Sequence, residues 1–188
     1  VAEDSVIRID PRTGLIQGVR FVPSPNCDER PPGCEPELLV IHAISLPPGE
    51  FGGPAIEQFF CNELDYSAHP YFESLRDMRV SAHVLIRRAG EIVQFVPFTL
   101  RAWHAGRSFC EGRTRVNDFS IGVELEGSND TPFEEAQYEA LARLARALMR
   151  HYPAMTPARF YGHADIAPGR KTDPGPYFDW PRLLRACT

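Results

Sequence analysis

No apolar run in this chain approaches the roughly 20 residues that cross a bilayer, which excludes a membrane-spanning helix. The opening stretch VAEDSVIRIDPRTG lacks both a basic start and an apolar core, so it does not read as a secretory leader, and a cytoplasmic location is expected. The five cysteines (Cys27, Cys34, Cys61, Cys110, Cys187) contain no C-x-x-C pair and are odd in number, arguing against a zinc ribbon or a complete disulfide framework. They read as reduced thiols, including Cys27 and Cys34 across a proline-rich turn. Basic charge is also short. Lys and Arg total 20 against 25 Asp and Glu, a net charge of −5, so no nucleic-acid partner is expected and an anionic ligand must be met by local arginines. Repeats, low-complexity tracts and clear linkers are missing. The 188 residues, 43% of them hydrophobic, therefore read as one domain with its core over residues 21–186, working as a monomer and away from membranes.

What is present has α/β character. Residues 23–36 are proline-rich and read as an irregular surface segment. Residues 38–41 (LLVI) form a short continuous apolar run, the pattern of a buried central strand, with His42 at its carboxyl end, where open α/β sheets place ligands. Residues 79–97 (RVSAHVLIRRAGEIVQFVP) hold two β-rich runs around Arg88, Ala89 and Gly90, a hairpin signature. Residues 120–126 (SIGVELE) alternate and predict another strand. Thr131 as N-cap, Pro132 at the first helical position and Glu134 closing a capping box predict a helix. Its apolar stripe is Tyr138, Leu141, Leu144, Ala145 and Leu148, with His151 in the last turn. A shorter helix starts near Asp179 and Pro181. The expected fold is a single α/β domain, a central mixed β-sheet flanked by helices.

The segment GHADIAPGRKTDPG (residues 162–175) concentrates His163, Lys171 and Asp173 in a loop stiffened by Pro168 and Pro174 and turned by Gly169 and Gly175. Imidazole and carboxylate are good zinc ligands, and an ammonium nearby suits negative charge that develops on a substrate. A zinc hydrolase needs about three protein ligands and an open position. His42 and the His163/Asp173 pair are the best candidates, yet no local spacing selects them. His69, His83 and His104 are rivals, each read as structural or supporting. Glu124 and Glu126 share one face of the alternating strand, and the pattern alone leaves both facing solvent.

Taken together, LLVIHAISLPPGEFGGP (38–54), RVSAHVLIRR (79–88), RAWHAG (101–106), NDFSIGVELEG (117–127) and GHADIAPGRKTDPG resemble bacterial anhydro-N-acetylmuramyl-L-alanine amidases. These belong to the zinc-dependent type 2 amidase and peptidoglycan-recognition-protein superfamily. The motifs follow the family order from about Phe21 to Trp180. The resemblance implies Zn²⁺ at His42, His163 and Asp173, Glu124 as catalytic base and Lys171 beside the scissile carbonyl oxygen. It also implies Arg79 and Arg115 on stem-peptide carboxylates and Trp103 lining the cleft. The implied substrate is a soluble anhydro-muropeptide, cut between the lactyl group and L-alanine in peptidoglycan recycling. Action on intact peptidoglycan, or binding without cleavage, are the other implied roles. One position departs from the family: Ala43 stands where Asn usually follows the first histidine, which bears on substrate affinity.

Overall fold

Residues 6–188 are described by the computed structural model; the first five, part of the opening stretch read as carrying no leader, lie outside them. The strands are β1 (Arg20–Phe21), β2 (Cys27–Glu29), β3 (Leu38–Ile44), β4 (Val84–Ile86), β5 (Ile92–Gln94), β6 (Leu100–Ala102), β7 (Phe109–Cys110), β8 (Arg113–Thr114), β9 (Ser120–Glu126) and β10 (Phe160–Gly162). The helices are α1 (Ala55–Phe60), α2 (Glu135–His151), α3 (His163–Ile166) and α4 (Trp180–Cys187). Six strands form one mixed sheet in the order β1-β5-β4-β9-β3-β10. Strands β4, β9, β3 and β10 run parallel, and β5 reverses against β4. The carboxyl ends of four strands thus share one edge, the usual place for a ligand in such sheets.

The LLVI run is the first half of β3, fully buried because it lies between parallel neighbours in the sheet and is packed on both faces. On one face Leu39, Ile41, Ile121, Val123 and Leu125 pack against Leu141, Leu144 and Leu148 of α2. Each such side chain withdrawn from water stabilises by about 1.5–3 kcal/mol, before entropy is counted. On the other face Leu38 and Val40 meet Val116, Phe119 and Ile166, while Leu85, Val93 and Phe95 meet Ile56, Phe59 and Phe60 of α1. His42 and Glu124 project from this second face, since strand side chains alternate.

Several expectations need correction. β3 continues to Ile44, so His42 lies two residues inside its end. The hairpin is real but its strands are only Val84–Ile86 and Ile92–Gln94, and His83 immediately precedes β4. The 120–126 strand is buried along its whole length, because loops as well as neighbouring strands cover the face that alternation assigned to solvent. Helix α2 starts four residues later than its expected N-cap. Thr131 instead joins a cluster with Ser128 and Asp130. Glu134 is the N-cap, and Gln137 closes the box by accepting from the Glu134 N–H at 3.0 Å. Gln137 also donates to the carbonyls of Ile86 and Glu126, so contacts with β4 and β9 fix where the helix begins. Helix α4 begins as expected, with Asp179 capping the N–H of Arg182.

The proline-rich 23–36 segment is not wholly irregular: it contains β2, which pairs with β6. It also sends Arg30 inward, where the guanidinium donates to the carbonyls of Phe98, Asn117, Asp118 and Ser120. Burial pulls its pKa down to about 10. All five cysteines are free thiols.

Candidate active site

The register of the parallel strands builds the site. His42 pairs with Glu124 across β3 and β9. On the other side of β3, Gly162 pairs with Ile41, so the next residue, His163, emerges beside His42. His163 opens α3, and the 162–175 segment is therefore not a free loop but a strand end, one helical turn and a return. The return is tied by Lys171 N–H to the carbonyl of Ala167 (3.0 Å) and by Ala164 N–H to the carbonyl of Asp173 (3.0 Å). This brings Asp173 back to the two imidazoles.

His42 Nδ1 and His163 Nδ1 lie 3.0 Å apart, and Asp173 Oδ2 is 3.2 Å from each. A tetrahedral ion with bonds of roughly 2.0 Å has donor-to-donor edges of about 3.3 Å, so this triangle fits one face of a zinc coordination sphere. The outer nitrogens fit as well. His163 Nε2 faces the carbonyl of Ala105 at 3.2 Å and must carry its proton, leaving Nδ1 as a lone-pair donor. The same tautomer of His42 donates from Nε2 to His104 Nδ1 at 2.9 Å, and His104 Nε2 reaches Ser120 Oγ at 3.0 Å. Burial holds His42 neutral, with its pKa down to about 4. At Asp173 burial opposes the charge, but contacts with His163 and His42 outweigh it and keep the group below the ordinary carboxylate range.

Glu124 lines the cleft, and its Oε2 is buried with no hydrogen-bond partner among the described residues. Burial, then the charge of Asp173, raises its pKa well above the usual carboxylate value, against the opposing charge of Lys171. A buried carboxylate without a partner is costly unless a substrate or water uses it. Glu126, two residues on, is fully engaged: it accepts from Gly52 N–H (2.7 Å), Arg87 (3.0 Å) and Arg88 N–H (3.3 Å).

The cleft, about 400 Å³, opens between the His42, His163 and Asp173 triangle and an apolar wall that includes Phe59, Leu75 and Val80. Lys171 and Ala43 also line it. Trp103 and Arg115 do not; they line an adjoining depression with Asp28, Arg101 and Asp118. Arg115 has φ of 59°, unusual for a side-chain-bearing residue, and its Nε lies 3.2 Å from Asp118. Arg79 stands apart from both hollows, its guanidinium donating to the carbonyls of Arg76 and Met78. Of the rival histidines, His69 caps the turn Pro70–Leu75, and His83 accepts from Gly122 N–H and donates to the carbonyl of Leu100.

Sequence reasoning passed over Gly122 and Asn117. A Cβ at Gly122 would sit 2.4 Å from His104 Cγ, so only glycine lets that ring lie over the sheet. A glycine inside a strand signals close approach, and that signal was readable.

Residues 32–176 match the family described as N-acetylmuramoyl-L-alanine amidase. Over 170 residues the chain is 57% identical to 1,6-anhydro-N-acetylmuramyl-L-alanine amidase AmpD of Escherichia coli (strain K12), covering 90% of this chain and 92% of that protein. The crystal structure of a selenomethionine AmpD derivative superposes with a TM-score of 0.92 at 54% identity, over 96% of this chain and 99% of that one. A complex of the amidase AmiD from E. coli with its substrate, anhydro-N-acetylmuramic acid-L-Ala-D-gamma-Glu-L-Lys, matches with a TM-score of 0.60 at 34% identity, over 84% of this chain and 60% of that one.

Proposed function

The chain belongs to the N-acetylmuramoyl-L-alanine amidase family, and from that premise we propose that it hydrolyses the lactyl-L-alanine amide of soluble anhydro-muropeptides in peptidoglycan recycling. His42, His163 and Asp173 would hold Zn²⁺, which would supply Lewis-acid polarisation of the substrate carbonyl and a more acidic water. Glu124 takes the proton of the attacking water and delivers it to the leaving nitrogen of L-alanine. Its buried carboxylate has no protein partner competing for the proton it takes up and gives back. Lys171 presents its ammonium to the oxygen on which negative charge develops. The anhydro-sugar lies along the apolar wall, and the stem peptide extends to the depression of Trp103 and Arg115, where a guanidinium can grip a carboxylate. Arg79 joins this recognition by turning from its present backbone acceptors.

The observation that carries the reading is the partnerless Glu124 carboxylate beside the His42, His163 and Asp173 triangle. We take the working unit to be a monomer in the cytoplasm, where soluble fragments are recycled. Among the described residues no helix is long and apolar enough to cross a membrane. Mass spectrometry of products from defined anhydro-muropeptides is the test. Free stem peptide and anhydro-sugar are expected, lost with a chelator and restored by zinc. Chelator-insensitive cleavage, or binding without products, overturns the reading.

A further inference from the structure

Both imidazoles of the candidate metal site lean on one dipeptide. His42 Nε2 meets the ring of His104 at 2.9 Å, and His163 Nε2 meets the carbonyl of the next residue, Ala105, at 3.2 Å. Whatever fixes the backbone of His104 and Ala105 therefore fixes two ligands at once.

Two side chains hold that stretch of backbone. Asn117 Oδ1 accepts both successive backbone N–H groups, from His104 at 3.2 Å and Ala105 at 2.8 Å. A single amide oxygen with two lone pairs can satisfy both donors, and in doing so it orients the two successive peptide planes on either side of the His104 Cα. Asn117 is itself held, because its own carbonyl accepts from the buried Arg30 at 3.1 Å. From the opposite side Arg170 donates to the carbonyls of Ala105 (2.6 Å) and Arg107 (2.8 Å), closing over Gly106. The Ala105 carbonyl is thus shared between Arg170 and His163.

We propose that Asn117, seconded by Arg170, is a positioning residue for zinc, acting through the backbone of His104 and Ala105 to orient both histidine ligands. This rests on the reading that His42, His163 and Asp173 hold the metal. Groups that orient ligands from one bond away typically change metal affinity by about 10–100-fold when removed. Asn117→Leu frees two amides and lets the bracket rotate, so both imidazoles lose their support together. Asn117→Asp keeps an acceptor oxygen in place.

The test is zinc affinity of the full chain, by competition with a chromophoric chelator, together with the visible spectrum of the Co²⁺-loaded protein. Asn117→Leu is expected to bind zinc about 10–100-fold more weakly and to shift the Co²⁺ bands, while Asn117→Asp restores both. A folded Leu variant with parental affinity and spectrum overturns the proposal, as does an Asp variant no better than Leu. Should Asn117→Leu not fold, Arg170→Met on the exposed side of the bracket carries the test: weaker zinc binding supports the proposal and parental binding overturns it. A parent chain that takes up no zinc overturns the metal reading itself, an outcome distinct from these.

Discussion

His42 and Glu124 are register partners on adjacent parallel strands, so the proposed metal ligand and the proposed catalytic carboxylate are fixed relative to one another by the backbone ladder of β3 and β9. No loop motion separates them. The neighbouring pair in the same register, Ile44 and Glu126, carries the second carboxylate of the strand away to Arg87 and the Gly52 amide. One strand therefore presents two glutamates on one face with opposite destinies.

Substitution should separate them. Glu124→Ala is expected to lower kcat by about 10²–10⁴-fold while keeping fold and bound zinc, since that is the range of general-base catalysis. Glu126→Ala should instead lower stability by about 1–3 kcal/mol by leaving the Gly52 and Arg88 amides without their acceptor and Arg87 with Glu57 as its one remaining carboxylate, and affect turnover of the folded protein far less. Kinetics beside urea denaturation reads both effects, and the reverse ranking would mean the wrong carboxylate is assigned.

Metal content is the second prediction. The purified chain should carry close to one zinc, and His163→Ala or Asp173→Ala should lose it, because a triangle reduced to two donors no longer makes a catalytic zinc site. Elemental analysis of the dialysed variants decides. Full occupancy in either variant contradicts the assignment.

Gly122→Ala should damage the site without touching a ligand. The added methyl meets His104 at 2.4 Å, and overpacking of this kind costs about 1–3 kcal/mol. With the ring displaced, His42 loses its partner, so zinc affinity should fall along with the thermal midpoint. A variant with unchanged stability and metal binding would show that the ring has room to move.

Acid should weaken the fold through His83. Burial, aided by the Arg30 charge, brings its pKa down to about 3 from an ordinary 6.5. Between those values the unfolded chain binds a proton that the folded chain refuses, so stability falls as pH drops from 6.5 towards 3 and is unaffected above 6.5. Urea titrations at pH 7 and pH 5 should show a smaller loss in His83→Gln than in the parent. Equal losses would assign the acid sensitivity elsewhere.

Recognition of the stem is testable separately from chemistry. Arg115→Ala and Arg79→Ala should each lower kcat/KM on a carboxylate-bearing stem by an amount worth about 1.5–3 kcal/mol, and Trp103→Ala should act on the same substrates. A stem truncated before its carboxylates should be indifferent to the arginines. Unchanged kcat/KM on the full stem would remove them from the recognition surface.

The features legible in the sequence are those written locally. The LLVI run announces a buried strand, and Asp179 with Pro181 announces α4. The proline and glycine of the 162–175 segment announce a built loop around His163 and Asp173. Other features depend on what arrives from elsewhere in the chain. Thr131 satisfies every local rule for an N-cap and is still passed over, because Gln137 is needed by the carbonyls of Ile86 and Glu126. Glu124 and Glu126 look alike until Arg87 and Gly52 are placed beside one of them. Asn117 reads as an ordinary loop polar residue until the His104–Ala105 peptide is laid across it.

The parallel arrangement of β3, β9 and β10 has a consequence for biosynthesis. Parallel neighbours require long crossovers, and His42 and His163 come together from positions 121 residues apart. Such non-local closure comes late and slowly in folding. A nascent chain that has emerged only through β9 already contains His42 and Glu124 but neither His163 nor Asp173, so it can neither complete the metal triangle nor hydrolyse an amide. With the proposed ligands, hydrolytic competence is therefore withheld from any translation product that stops before Asp173 and granted only when β10 and the segment after it dock beside β3.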